Sequence, residues 1–226
     1  MPVVSALKAT KRGRIALHVD GRFVCTVSEA LIARHHLFAG KELSADELAE
    51  ITSEAATTRV LADAYRLLSH RARSQAELAT RLAAKGHERA EVAAIVERLH
   101  GEGLLDDRAF ARSFVADKRR LAGWGNERIA RELARHGVDS DIVNAALHEV
   151  QADDHETELA RALAALQRRT GQQTVDQAAR ARAFAFLRRR GFATETALQA
   201  VRLWTARLDP HADDRPPRSP PEFRLS

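Results

Sequence analysis

The chain has 226 residues, a formal net charge of +5 and a sequence pI near 10.0. Aromatic residues make up only 5%, while alanine, leucine, arginine and glutamate dominate, which favours helices and excludes a β-sandwich or a parallel sheet. A single cysteine, Cys25, excludes an intramolecular disulfide, and no Cys/His spacing indicates a zinc site. We expect a cytoplasmic protein, because the N-terminus lacks a signal-peptide core and no apolar run approaches the roughly 20 residues that span a bilayer.

The first predicted element in chain order is a β-hairpin. Two runs of alternating apolar and polar residues flank Asp20-Gly21, a dipeptide typical of a two-residue hairpin turn. In the second run, the alternation predicts that Phe23, Cys25 and Val27 share one face of the hairpin.

Short helices follow the hairpin. After Ser28 the apolar residues fall at helical spacing until Gly40, and the capping box Ser44-x-x-Glu47 opens a second short helix. Residues 1–55 are therefore predicted to form a lead-in of one β-hairpin and short helices.

Three tandem repeats of three helices each come next, so the predicted fold class is mainly α. Gly86, Gly137 and Gly191 close similar stretches, each with a leucine four residues earlier, and subtraction of their positions gives spacings of 51 and 54 residues. The predicted segments are repeat 1 at 56–105, repeat 2 at 106–152, repeat 3 at 153–208, and a disordered tail at 209–226. The predicted helices are 59–71, 75–85 and 88–101 in repeat 1, 107–122, 126–136 and 140–150 in repeat 2, and 155–169, 175–190 and 194–208 in repeat 3.

Polar residues and glycines mark the ends of these helices. The three glycines suit the left-handed residue that follows a helix. Residues suited to helix starts are the capping boxes Ser74-x-x-Glu77 and Thr174-x-x-Gln177, together with Asp106 or Asp107, Asp139 and Thr194. A repeat of about 50 residues is marginal alone, so we expect the repeats to stack into an elongated, curved rod with a long surface.

Basic side chains are the main candidates for binding a large acidic partner. Arginines recur at helical spacing, which places guanidinium groups on one side of a helix, where they suit phosphates and carboxylates. The alternative is a solvated lattice of ion pairs such as Glu127 with Arg131, or cations that complement helix C-termini, as at Lys85, His136 and Arg190. The candidate partner- or DNA-binding residues are Arg59, Arg66, Arg73, Arg112, Lys118, Arg119, Arg120, Trp124, Arg128, Arg131, Arg135, Arg188 and Arg189.

Trp124 lies between two glycines and two predicted helices. An indole there could stack on a base or insert into a groove of a partner, and burial between the helices is the simpler interpretation.

No constellation for catalysis is present in the sequence. No nucleophile motif, phosphate-binding loop or metal-ligand spacing occurs, and Asp106-Asp107 is more simply a helix cap than a pair of catalytic carboxylates. We therefore predict a binding protein, not an enzyme, that needs no cofactor or metal.

The pattern resembles the RecX family, regulators of the RecA recombinase. Three stretches carry the resemblance, namely Arg73-Ser74-x-x-Glu77-Leu78, Gly103-Leu104-Leu105-Asp106-Asp107 followed by Phe110-Ala111, and Gly125-x-x-x-Ile129-x-x-x-Leu133-x-x-x-Gly137-Val138. The resemblance covers about 14–208. It implies an inhibitor in DNA repair, recombination and the SOS response, which lies in the groove of the RecA–DNA filament and suppresses filament growth, ATP hydrolysis and strand exchange. We expect the protein itself to be monomeric.

A second hypothesis needs no recombinase. A helical-repeat protein with these basic faces could bind single- or double-stranded DNA directly, and its affinity would then fall steeply with salt.

Overall fold

A computed structural model describes residues 1–10, 13–154, 157–169 and 176–208, without the side chains of 151–154 and 169. The predicted tail and the predicted cap at Thr174 lie outside the described residues. The described elements are β1 Val4–Ala9, β2 Ile15–Val19, β3 Arg22–Val27, α1 Glu29–Arg34, α2 Ala45–His70, α3 Gln75–Ala83, α4 Arg89–Gly101, α5 Asp107–Arg120, α6 Asn126–Arg135, α7 Ser140–Asp154, α8 Glu158–Arg169, α9 Gln177–Arg190 and α10 Thr194–Leu208. The mainly helical fold with a small β lead-in is confirmed.

The lead-in is a three-stranded antiparallel sheet in the order β1-β2-β3. The predicted hairpin is confirmed, and both turn residues have positive φ, 48° at Asp20 and 78° at Gly21, as a type I′ turn requires. Strand β1 was not predicted, because its residues alternate too weakly to indicate a strand. Val4 of β1 is fully buried in the core between the sheet and the first helices.

The prediction for Phe23 was wrong. A β-bulge between Leu17 and His18 shifts the register, so that Leu17 pairs with Cys25 and His18 pairs with Phe23. The extra residue on β3 turns Phe23 to the opposite face, where the residue is 59% exposed.

The two helices predicted at Ser44 and at 59–71 form one continuous helix, α2. Its start agrees with the prediction, since Ser44 and Glu47 make the reciprocal hydrogen bonds of a capping box. No glycine or proline interrupts the chain between them, and one stripe is buried throughout, at Ile51, Ala55, Val60 and Ala64. The predicted separation of two helices is therefore wrong.

The remaining repeat helices lie at the predicted places, with ends within four residues of the prediction. The glycines after α3, α6 and α9 have φ of +84°, +72° and +83°, so the predicted left-handed positions are confirmed. Asp139 accepts the Asp141 N–H at 2.8 Å at the start of α7, and α10 begins at Thr194.

Each repeat has its own apolar core. Representative buried residues are Leu82 in repeat 1, Leu133 in repeat 2 and Leu187 in repeat 3. The chain divides into two compact units, with unit 1 at 1–106 and unit 2 at 107–226. Unit 1 contains the sheet and repeat 1, and unit 2 contains repeats 2 and 3.

Candidate binding surfaces

Two of the predicted binding arginines are buried. Arg73 is 8% exposed, donates from Nε to the Leu67 carbonyl oxygen at 3.1 Å and pairs with Glu77. It thereby ties the end of α2 to α3. Because its guanidinium is enclosed, we leave Arg73 out of the proposed binding surface.

Arg119 is 5% exposed and belongs to a buried polar network in unit 2. Its Nη2 donates to Asn126 Oδ1 at 3.0 Å and to the Leu147 carbonyl oxygen at 2.9 Å. Asn126 Oδ1 also accepts from Arg161 Nη2 at 3.1 Å, while the Asn126 N–H donates to Glu158 Oε1 at 2.8 Å. Arg119 therefore links α5 to α6 and α7, and Asn126 extends the network to α8. We leave Arg119 too out of the binding surface.

Trp124 forms a half-buried cluster with two of the predicted cations. The ring packs against the core of repeat 2, with Lys118 Nζ 5.1 Å and Arg128 Cζ 4.0 Å from its centroid. Lys118 Nζ also lies 5.0 Å from the Phe114 centroid. These cation–π contacts hold Lys118 and Arg128 in place beside the indole.

Five predicted cations of unit 2 are exposed, namely Arg112, Arg120, Arg131, Arg135 and Arg189. Four of them have a carboxylate partner on the surface: Arg112 with Glu149 at 3.4 Å, Arg120 with Asp117 at 3.8 Å, Arg131 with Glu127 at 3.9 Å, and Arg135 with Glu132 at 2.8 Å. Exposed ion pairs of this kind are worth about 0–1 kcal/mol. These arginines can therefore leave their carboxylate partners and bind acidic groups of a ligand at little cost in free energy.

The end of α9 docks on the start of α6, an arrangement that the sequence analysis missed. The Gly125 N–H donates to the Arg190 carbonyl oxygen at 2.9 Å, and the Glu127 N–H donates to the Gly191 carbonyl oxygen at 3.1 Å. Unsatisfied N–H groups of one helix thus meet carbonyl groups at the end of the other. Gly191 was predicted only as the left-handed residue that ends a helix, and no role was predicted for Gly125, so the sequence did not indicate this contact.

Two arginines of the run 188–190 support this junction. Arg188 Nη1 lies 3.0 Å from Glu127 Oε2 and also contacts the Phe192 carbonyl oxygen. Arg190 Nη1 donates to the Ala122 carbonyl oxygen at 2.8 Å. Within this run, only Arg189 is exposed.

The predicted residues Arg59 and Arg66 of unit 1 line an open hollow of about 820 Å³. Arg14 and Lys85, which come from elements far apart in the sequence, line it as well. Arg14 was not among the predicted binding residues, and Lys85 was predicted to complement a helix end.

The described residues contain no group of three or more histidine, cysteine or acidic side chains that could hold a metal ion. None of the described helices combines the length and the apolar character needed to cross a bilayer.

Comparison with known proteins points to one family. Models of RecX match the chain twice, the first three-helix domain at residues 61–99 and the second three-helix domain at residues 106–147. Regulatory protein RecX of Lactobacillus johnsonii is 32% identical over 157 residues, covering 69% of this chain and 57% of that protein. Regulatory protein RecX of Mycobacterium sp. strain KMS is 34% identical over 139 residues, covering 60% of this chain and 76% of that protein. This chain therefore spans little more than half the length of the Lactobacillus relative.

Two solved structures share the fold. A crystal structure of regulatory protein RecX has a TM-score of 0.62 at 22% identity and covers 87% of this chain and 97% of that chain. The crystal structure of RecX from Lactobacillus salivarius has a TM-score of 0.58 at 17% identity and covers 66% of this chain and 96% of that chain.

Proposed function

This chain belongs to the RecX family of regulatory proteins, and from that premise we propose that it inhibits the RecA recombinase. In this proposal it binds in the groove of the RecA–DNA filament and suppresses filament growth, ATP hydrolysis and strand exchange. It acts by binding and not by catalysis, and its partners are the filament and the DNA within it.

The observation that carries the proposal is the exposed basic surface of repeat 2. Arg131 and Arg135 lie one turn apart on α6, with side chains 59% and 74% exposed. Arg120 at the end of α5 is 77% exposed. A filament of recombinase on DNA offers carboxylates and phosphates, and the planar guanidinium group can bind both in bidentate fashion.

The aromatic cluster beside this surface fixes the positions of two cationic side chains. Lys118 and Arg128 are held against Trp124, so their charges are positioned before a partner arrives. Side chains that are already ordered lose less conformational entropy on binding. We therefore assign Lys118, Trp124 and Arg128 to the edge of the same surface.

The test is the DNA-dependent ATPase activity of RecA. We expect the protein to suppress ATP hydrolysis by RecA on single-stranded DNA when present below the molar amount of RecA. An inhibitor of filament growth acts at few sites, which is why substoichiometric amounts suffice. Unchanged hydrolysis at equimolar protein would contradict the proposal.

A pair of charge reversals tests the surface itself. Arg131→Glu with Arg135→Glu should raise the concentration needed for half-suppression at least tenfold, because two attractive contacts become repulsive. The matched control is Arg202→Glu with Arg207→Glu on α10, where both residues are also exposed and the change of net charge is the same. Equal loss in both variants would mean that net charge, and not this surface, governs the inhibition.

Direct DNA binding is the second candidate function, supported by the same exposed cations. It predicts binding to naked DNA as tight as to RecA-coated DNA, with a steep dependence on salt because phosphate contacts release counterions. Binding isotherms on both substrates across a salt series separate the two functions.

A further inference from the structure

The hollow of unit 1 gathers cations from three parts of the chain. Its lining residues are Thr10, Arg14, Thr26, Arg59, Ala62, Asp63, Arg66 and Lys85. Four are cationic and one is a carboxylate, so their formal charges sum to +3. An open basic concavity concentrates anions, since the surrounding protein focuses the field of its cations.

The one carboxylate, Asp63, is already engaged. It lies 2.5 Å from Arg66 Nη2, 2.9 Å from His87 Nε2 and 3.4 Å from Lys85 Nζ. Burial alone would raise the pKa of Asp63, but the hydrogen bonds from His87 and Lys85, with the charges of Lys85 and Arg66, lower it below its usual value. Asp63 therefore orients Arg66 and Lys85 at the wall of the hollow.

The other two arginines are not neutralised in this way. Within the part of the chain that the structure describes, no carboxylate lies within 4.0 Å of the Arg14 or Arg59 guanidinium group. Arg59 is exposed and Arg14 is half-buried. Both can meet the charge of a ligand that enters the hollow.

A second hollow of about 310 Å³ adjoins the first and shares Thr26 and Arg59 with it. Its other lining residues are apolar or small: Phe23, Val24, Cys25, Thr52, Ala55 and Ala56. Phe23 is 59% exposed, and its ring, which the bulge in β3 turns to the face opposite Cys25, lies in a T-shaped arrangement with the His18 ring at 5.9 Å between centroids. A basic hollow thus continues into a hollow with an exposed aromatic ring, and Arg59 stands between them.

We propose that these two hollows of unit 1 form a binding site for one nucleotide unit of a single-stranded nucleic acid. The phosphate lies in the larger hollow among Arg14, Arg59, Arg66 and Lys85, and the base lies against Phe23. Cations along the backbone and an aromatic ring under the base are the combination by which proteins hold single strands without reading sequence. The proposal does not rest on the action of the protein on RecA, which we assign to unit 2.

The test is binding of the full-length chain to a fluorescently labelled oligothymidylate without RecA, followed by fluorescence anisotropy across a salt series. Arg59→Gln with Arg66→Gln should lower the slope of log affinity against log salt by about 1.4, that is about 0.7 for each lost contact with a single strand. Phe23→Ala should weaken binding about tenfold and leave that slope unchanged, because stacking releases no counterions. Arg202→Gln with Arg207→Gln on α10 is the matched control and should alter neither quantity. Unchanged binding in the unit 1 variants would overturn the proposal.

Amide hydrogen exchange tests the site without any substitution. Exchange in the unsubstituted protein should slow in β3 and α2 when the oligonucleotide is added, and a lack of protection there would overturn the site even if a variant failed to fold.

Competition experiments identify the ligand. Displacement of the oligonucleotide by thymidine monophosphate at millimolar concentration, lost in Phe23→Ala, would identify a free nucleotide as the ligand of the same site. Displacement by polyglutamate as effective as that by an unlabelled oligonucleotide would overturn the proposal, because polyglutamate supplies charge without a base.

Discussion

At the scale of single residues, Glu77 organises the arginines at the end of α2. It pairs with the buried Arg73 and with Arg71, and its Oε1 lies 3.1 Å from Arg81 Nε. Burial alone would raise the pKa of Glu77, but the hydrogen bonds from Arg71 and Arg81 and the charges of Arg71 and Arg73 lower it below its usual value. The charged form of Glu77 is therefore the form that stabilises unit 1.

We predict that Glu77→Gln lowers the free energy of unfolding by about 2 kcal/mol at pH 7, because the buried charge of Arg73 loses its partner. The folded-state pKa of Glu77 is lowered, so the stabilisation is complete above its ordinary pKa of about 4.3 and is lost as the pH falls through the folded-state value. Urea unfolding should therefore show a smaller difference between the two proteins at pH 3 than at pH 7. Exposed Glu97→Gln is the control, and a difference independent of pH would contradict this role of Glu77.

Gly125 matters because the structure has no room for a side chain at this residue. A Cβ atom at this residue would lie 2.3 Å from the backbone C and O of Gly191 and from the N of Phe192, all of them backbone atoms that cannot rotate away. The φ of Gly125 is −79°, so the glycine is not needed for its backbone conformation. Its role is to let the end of α9 approach the start of α6.

We predict that Gly125→Ala destabilises unit 2 by about 2 kcal/mol, the usual cost of overpacking. Thermal unfolding followed by tryptophan fluorescence reports on unit 2, because Trp124 and Trp204 are the two tryptophans of the chain. Gly101→Ala at the end of α4 is the matched control, since a Cβ there has nothing within 4 Å and should be neutral or slightly stabilising when measured by circular dichroism. Equal stability of the Gly125→Ala protein would show that α9 does not approach so closely.

At the scale of elements, α2 joins the lead-in to repeat 1. Ile51 and Ala55 pack in the core with the sheet, while Val60 and Ala64 pack in the core of repeat 1. A helix of 26 residues is about 39 Å long, at about 1.5 Å per residue. Its continuity couples the two cores of unit 1.

We predict that Thr58→Pro costs unit 1 about 3 kcal/mol or more, although Thr58 is exposed, because proline removes a backbone hydrogen bond and clashes with the preceding turn. Urea unfolding followed by far-ultraviolet circular dichroism measures the loss. Thr58→Ala should retain or slightly raise stability, since alanine has the higher helix propensity. If proline is tolerated as well as alanine, the helix is interrupted there.

At the scale of the whole molecule, the two proposals assign different surfaces to different units. Arg59 and Arg66 belong to the hollow of unit 1, and Arg131 and Arg135 belong to the exposed surface of unit 2. The side chains in one set have no partner in common with those in the other, so their substitutions should act independently.

We predict a separation of two measured properties. Substitution of Arg59 and Arg66 should weaken binding of naked single-stranded DNA and leave most of the suppression of RecA ATP hydrolysis, whereas reversal of Arg131 and Arg135 should do the opposite. Both variants are measured in both assays at the same salt concentration. Parallel losses in the two assays would contradict the assignment of separate surfaces and would favour direct DNA binding as the common cause.

Most helices and their ends follow from the sequence by itself, because they depend on contacts within a few residues; the exception is α2, which was predicted as two helices. The Ser44 capping box, the Asp139 cap and the glycines 86, 137 and 191 each act within one turn, and the apolar stripes show which side is buried. The same local signals carried the family resemblance, which is strongest in the helices of repeats 1 and 2.

The tertiary structure alone decided which basic residues are available to a partner. Arg66 and Arg73 are both among the arginines that recur at helical spacing, yet Arg66 is exposed at the hollow and Arg73 is buried. The reason is physical: burial depends on neighbours distant in sequence, as when Arg119 donates to the carbonyl oxygen of Leu147, 28 residues further along the chain. For the same reason, spacing along the chain could not reveal the hollow that brings Arg14 and Lys85 beside α2, or the approach of Gly191 to Gly125.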